Sequence, residues 1–226
     1  MITEERLAEV AAGLARECTS KCGATVLDKE DSYIHSSIAH ALGLASNVRE
    51  VAHRFGVDIP LKAPSARAYL EDFATTIGRE IAVPRKWNAR SRLLVIPHEC
   101  QHVVQHAEGV DAGWWPRITT HSVLYLAGVV AHTAAGEEYV GKVEGDAYAV
   151  TQSIHEYLTG HPQPLVDCLR PLVESYNLLG NGAQMAESIL RSHYATIAAG
   201  LVPNVTMALV ARAWLEANAP DLRGAL

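Results

Sequence analysis

The chain has 226 residues, 49% of them apolar, which is enough to bury a real core and excludes disorder as its main state. With 25 acidic against 19 basic residues the formal net charge is -6, so charge gives no footprint for DNA or RNA as the main partner. No apolar run reaches the roughly 18 to 20 residues of a membrane-spanning helix, and the longest, around Val123 to Ala135, is broken by Gly128 and His132.

Apolar residues recur three and four apart over long stretches, so helix dominates the reading. The first expected helix runs from Thr3 to near Cys18, with Leu7, Val10, Ala11 and Leu14 on one face. A second spans Tyr33 to Phe55 and stops at Gly56; Pro60 and Pro64 mark a connection, and a short helix follows over Ser65 to Phe73. Between Ala74 and Pro84 the character changes. Thr75, Ile77, Ile81 and Val83 favour extended backbone and Gly78 interrupts them, which predicts one strand or a small hairpin, the only β element expected.

Helix resumes over Leu93 to His106, Thr119 to Ala135 and Glu137 to Leu158, the last ended by Gly160, Pro162 and Pro164. Shorter helices are expected over Leu165 to Leu179, Ala183 to Ala199 and Val205 to Asn218. With no repeat or long linker, the fold class is α+β, mainly helical, in a single domain over 1–226. Its parts are a helical N-terminal part over 1–72, a core over 73–160 and a helical C-terminal part over 161–226.

Cys18, Cys22, Cys100 and Cys168 are too few and scattered for a disulfide framework, and read as inert thiols in a reducing compartment. Met1 to Cys18 carries Glu4, Glu5, Arg6, Glu9 and Arg16, unlike a secretory leader. The expected setting is therefore cytoplasmic or within a viral particle, with no membrane and no nucleic acid as partner.

The 11 histidines carry more information. His98-Glu99-Cys100-Gln101-His102 is an H-E-x-x-H pentad inside a helical pattern. Residues four apart on a helix share a face, so both imidazoles can reach one metal ion, while Glu99 is positioned to take a proton from a water without being a ligand. Neutral imidazoles suit Zn2+, and a catalytic zinc needs a third protein ligand and an open position. Pro97 either starts this helix without strain or, if the helix begins near Ser91, interrupts it.

Glu144 is the choice for third ligand, because Gly145, Ala147 and Ala149 beside it would let its helix approach the first closely. Glu137, Glu138 and Asp146 are rivals on the same helix. Glu108 is another, although Gln105 stands where a glycine would turn the chain back toward a metal.

A strand element from Thr75 to Val83, the pentad helix, and a later helix bearing Glu144 together resemble the zincin metallopeptidases, nearest to the gluzincin type. The likeness spans Phe73 to Gln152. It implies a zincin-like core with a small strand element before the pentad helix, Zn2+ held by His98, His102 and Glu144, and Glu99 as general base. It further implies that a peptide or protein substrate pairs along the strand. Thermolysin-like enzymes carry an aspartate four residues after the ligand glutamate, where this chain has Tyr148. Asp146 is left to take the orienting role, and Tyr148 either donates a hydrogen bond to the oxyanion or is a buried structural tyrosine.

The expected function is a zinc metallopeptidase. The alternative is a zincin-like structural or binding component of a larger assembly with little turnover, in which case an oligomer or assembly partner follows. His106 continues the four-residue spacing and reads as an ordinary helix histidine, and Trp114-Trp115-Pro116 as a loop anchor or cleft wall.

Overall fold

A computed structural model describes residues 2–54, 66–110, 134–174, 178 and 180–226. Among these, eight helices and three strands form two compact units, one of residues 1–24 with 88–226 and one of residues 25–87. The architecture is mainly helical with a small mixed sheet. No described helix is long and apolar enough to cross a membrane.

The larger unit contains α1 (Glu4–Cys22), α4 (Ala89–Val110), α5 (Ala134–Thr159), α6 (Leu165–Glu174), α7 (Asn181–Ala198) and α8 (Thr206–Asn218). Helix α1 starts where the Thr3 hydroxyl accepts the Arg6 amide at 3.1 Å and ends at Gly23, whose φ of +70° suits a residue without a Cβ. Its stripe of Leu7, Val10, Leu14 and Cys18 is buried, and the helix packs against α4 and α8. Helix α4 also packs on α5 and α8, so its middle is enclosed on several sides. Helix α5 is the hub, touching α4, α6, α7 and α8.

The smaller unit holds β1 (Thr25–Asp28), α2 (Tyr33–Arg54), α3 (Ala66–Asp72), β2 (Thr75–Ile77) and β3 (Glu80–Val83). Strands β2 and β3 form the expected hairpin, pairing Ile77 with Glu80 across a turn in which Gly78 has φ +62°. Strand β3 is central, with Ile81, Ala82 and Val83 fully buried.

The expectation of a single β element is corrected by β1, which pairs in parallel with β3 from Thr25–Glu80 to Asp28–Val83. Four residues are too short to display an alternation, and β1 exists because a distant strand supplies its hydrogen bonds. Lys29 follows it, fully buried, donating to the carbonyls of Tyr69 at 2.7 Å and Phe73 at 2.9 Å and so satisfying the end of α3.

The helix expected over Thr119 to Ala135 falls on undescribed residues except for its last two, which begin α5. The Trp114-Trp115-Pro116 segment and the Gly56, Pro60 and Pro64 connection also lie outside the described residues. Helix α6 is described over Leu165–Glu174 and Leu178 is not helical, while residues 175–177 and 179 of the expected helix to Leu179 lie outside the described residues.

Candidate metal centre

Successive residues of the pentad on α4 meet different neighbours, because side chains step about 100° round a helix. Cys100 faces α1. Its thiol hydrogen-bonds with Cys22, and that bond, followed by burial, pushes its pKa up, so it is inert. Gln101 faces α8 and accepts the Met207 amide at 3.1 Å, a capping bond that Val205 at the start of that helix does not supply. His98 and His102 face α5. Pro97 lies inside the helix, which begins at Ala89, rather than at its start.

Helix α5 brings Glu144, 0% exposed, against that imidazole pair. His98 Nε2 lies 3.6 Å from Glu144 Oε2 and His102 Nε2 lies 3.6 Å from Glu144 Oε1. The two rings stand edge to face with centroids 5.1 Å apart. Among the described residues this is the one group of three His, Cys, Asp or Glu donors able to share an ion, with all ligand atoms within 4.8 Å of one another. Two ligands held about 2.1 Å from a tetrahedral zinc are separated by about 3.4 Å. Each histidine–carboxylate distance is close to that value, one to each oxygen of Glu144. His98 is 7% exposed and His102 and Glu99 are each 8% exposed, so the donors are largely withdrawn from solvent.

The other nitrogen of each ring is also held. His98 Nδ1 lies 3.2 Å from the Thr151 hydroxyl, and His102 Nδ1 lies 2.9 Å from Gln105 Oε1. Both rings therefore turn Nε2 toward the carboxylate. Burial of His102 works against its charged form, but Glu144 outweighs this, with Glu99 and Gln105 adding, and the pKa is pushed up to about 9. Burial of Glu144 is likewise outweighed by His102 and His98, which hold its carboxyl well below the usual range. The site demands positive charge, and a proton or a metal ion can meet that demand.

The other candidate residues have different surroundings. Asp146 is engaged by α7, where its carboxylate accepts from His193 Nε2 at 3.0 Å. Tyr148 sets its ring edge to face against His98 at 4.9 Å and packs on the core around Val140 and Leu172, and burial raises its pKa. Glu138 accepts from Asn181, while Glu137 is buried where Gly182 crosses α5. The Glu108 side chain lies outside the described residues. The part expected of Gly145, letting its helix approach α4, is corrected. A Cβ at Gly145 would lie 2.7 Å from Ile189 of α7, so this glycine admits α7 rather than α4. Gly141, one turn earlier, does the same against Gly182.

Sequence reasoning missed Thr151 and Gln105. Thr151 follows Glu144 by two turns and Gln105 follows His102 by one, so each lies on the face its histidine uses. Comparison with protein-family models, with curated proteins and with solved structures returns no match for this chain.

Proposed function

We propose that this chain is a zinc-dependent peptidase of the zincin type, nearest the gluzincins, with His98, His102 and Glu144 holding the metal and Glu99 acting as general base. The observation that carries the reading is the convergence of two Nε2 atoms on one buried carboxylate at 3.6 Å each, on the same helix as an adjacent glutamate. Two imidazoles and a carboxylate suit Zn2+ and also Fe2+, and the H-E-x-x-H spacing is what favours zinc here.

When bound, the ion supplies Lewis acidity toward a scissile carbonyl and an attacking water. The residues of the chain do the rest. Glu99 stands one position after His98, outside the three-donor set, and raises the His102 pKa through its charge. Its carboxylate takes the proton from water and returns it to the leaving amine. Glu144, buried and held ionised, would balance the charge of the ion as its third protein ligand. The Tyr148 ring packs against His98 and limits its rotation.

The test is metal content and turnover together. Protein purified without chelator should carry about one equivalent of zinc and cleave members of a peptide library. Glu99→Gln should keep the zinc and lose cleavage, and His98→Ala should lose the zinc. Below about a tenth of an equivalent in wild type, or equal cleavage by wild type and Glu99→Gln, the proposal fails. Full zinc with no cleavage would make the chain a zincin-like component of an assembly instead.

A further inference from the structure

Gln105 is buried between α4 and α5 and uses both ends of its amide. Its Nε2 donates to the Val143 carbonyl at 2.9 Å, and its Oε1 lies 2.9 Å from His102 Nδ1. These two bonds are directional. A carbonyl oxygen only accepts, so the NH2 of Gln105 must face Val143 and its oxygen must face the imidazole. An amide oxygen also only accepts, so the proton of the neutral His102 ring must sit on Nδ1. The lone pair then lies on Nε2, which is the atom directed at Glu144. His98 has no such constraint, because the Thr151 hydroxyl can either donate to Nδ1 or accept from it.

Val143 precedes Glu144 on α5. One side chain therefore links the ring of one donor to the backbone beside another. We propose that Gln105 is the positioning residue of the metal centre: it fixes the tautomer and orientation of His102 and ties that ring to the segment of α5 bearing the carboxylate ligand. This rests on the metal-centre reading above. The partner of His102 Nδ1 is a neutral amide rather than a carboxylate. Partners of this kind typically contribute 10- to 100-fold to metal affinity.

The experiment measures Zn2+ affinity by competition with a chromophoric chelator in wild type, Gln105→Leu and Gln105→Glu. Gln105→Leu removes both bonds and should weaken Zn2+ binding by about 10- to 100-fold. Gln105→Glu keeps an acceptor for Nδ1 but cannot donate to Val143, so it should bind Zn2+ more tightly than Gln105→Leu. If the glutamine only braced Val143, the two variants would be equally weak, and that result overturns the proposal, as does wild-type affinity in Gln105→Leu. Nitrogen NMR of the His102 ring in metal-free wild type, above pH 9, needs no variant: the proton belongs on Nδ1, and finding it on Nε2 would overturn the assignment. If wild type takes up no Zn2+ at all, the metal-centre reading itself has failed, whereas zinc-binding wild type with an unaffected Gln105→Leu rejects only the role of Gln105.

Discussion

On the proposed zinc reading, protons and metal compete for the same atom of His102, and the contest has a calculable size. Without metal the His102 pKa stands at about 9 against an ordinary 6.5, because the buried Glu144 carboxylate holds the imidazolium. At pH 7 the ring is then two units below its pKa and only about 1% neutral, so apparent Zn2+ affinity lies about 100-fold, or about 3 kcal/mol, below its limiting value. Raising the pH from 7 to 9 should recover most of this, at close to tenfold per unit.

The metal-free fold should move the opposite way. Its share of stability from the raised histidine is complete below 6.5 and is lost as the pH climbs through about 9, so the stabilisation conferred by Zn2+ widens with pH. Isothermal titration calorimetry in two buffers of different ionisation enthalpy, with chelator-buffered zinc, reads both the affinity and the protons released. The expected release at pH 7 is about one proton from His102. Glu144→Gln removes the charge that holds the proton as well as a ligand, so its weaker binding should lose the slope between pH 7 and 9. Wild-type affinity that stays level across this range, with no proton released at pH 7, would refute the reasoning.

Two other outcomes follow from the packing. Gly141→Ala sets a methyl group into the Gly182 carbonyl oxygen and 3.1 Å from the Ala186 amide, both backbone atoms that cannot swing aside; the urea midpoint should drop by the equivalent of about 1 to 3 kcal/mol, and an unchanged midpoint would show that α5 and α7 are not locked there. In the smaller unit, His35 is fully buried, lies 2.6 Å from the Tyr69 hydroxyl, and has its pKa lowered by burial first and Lys29 second, against Glu80. Unfolding therefore takes up a proton as the pH falls below 6.5, and this unit should lose stability in acid; an NMR titration of the His35 ring with a midpoint at or above 6.5 would contradict this.

Much of the helical frame was legible because it is written in local periodicity. Leu7, Val10 and Leu14 announce α1, and the spacing of His98 and His102 by itself places both rings on one face. The choice of Glu144 rested on chemistry and general position, and the structure brings it to the pair. What was illegible depends on contacts between distant segments. Strand β1 is extended because β3 pairs with it, and four residues carry no periodicity of their own. Gly145 was assigned to the wrong neighbour because a small residue in a sequence says that something comes close without saying which helix does. In the sequence Gln105 signifies only that no glycine stands there, since its two hydrogen bonds depend on where Val143 lies.

Helix α1 is translated well before its packing partner α8, and the Arg6 guanidinium meets the Asp221 carboxylate across 215 positions of sequence. During synthesis the stripe of Leu7, Val10 and Leu14 therefore emerges from the ribosome long before its full cover exists. At typical elongation rates of about 5 to 20 residues per second this interval lasts about 10 to 40 s. Until α8 has emerged, the faces of α1 and α4 that it covers therefore lack part of their packing.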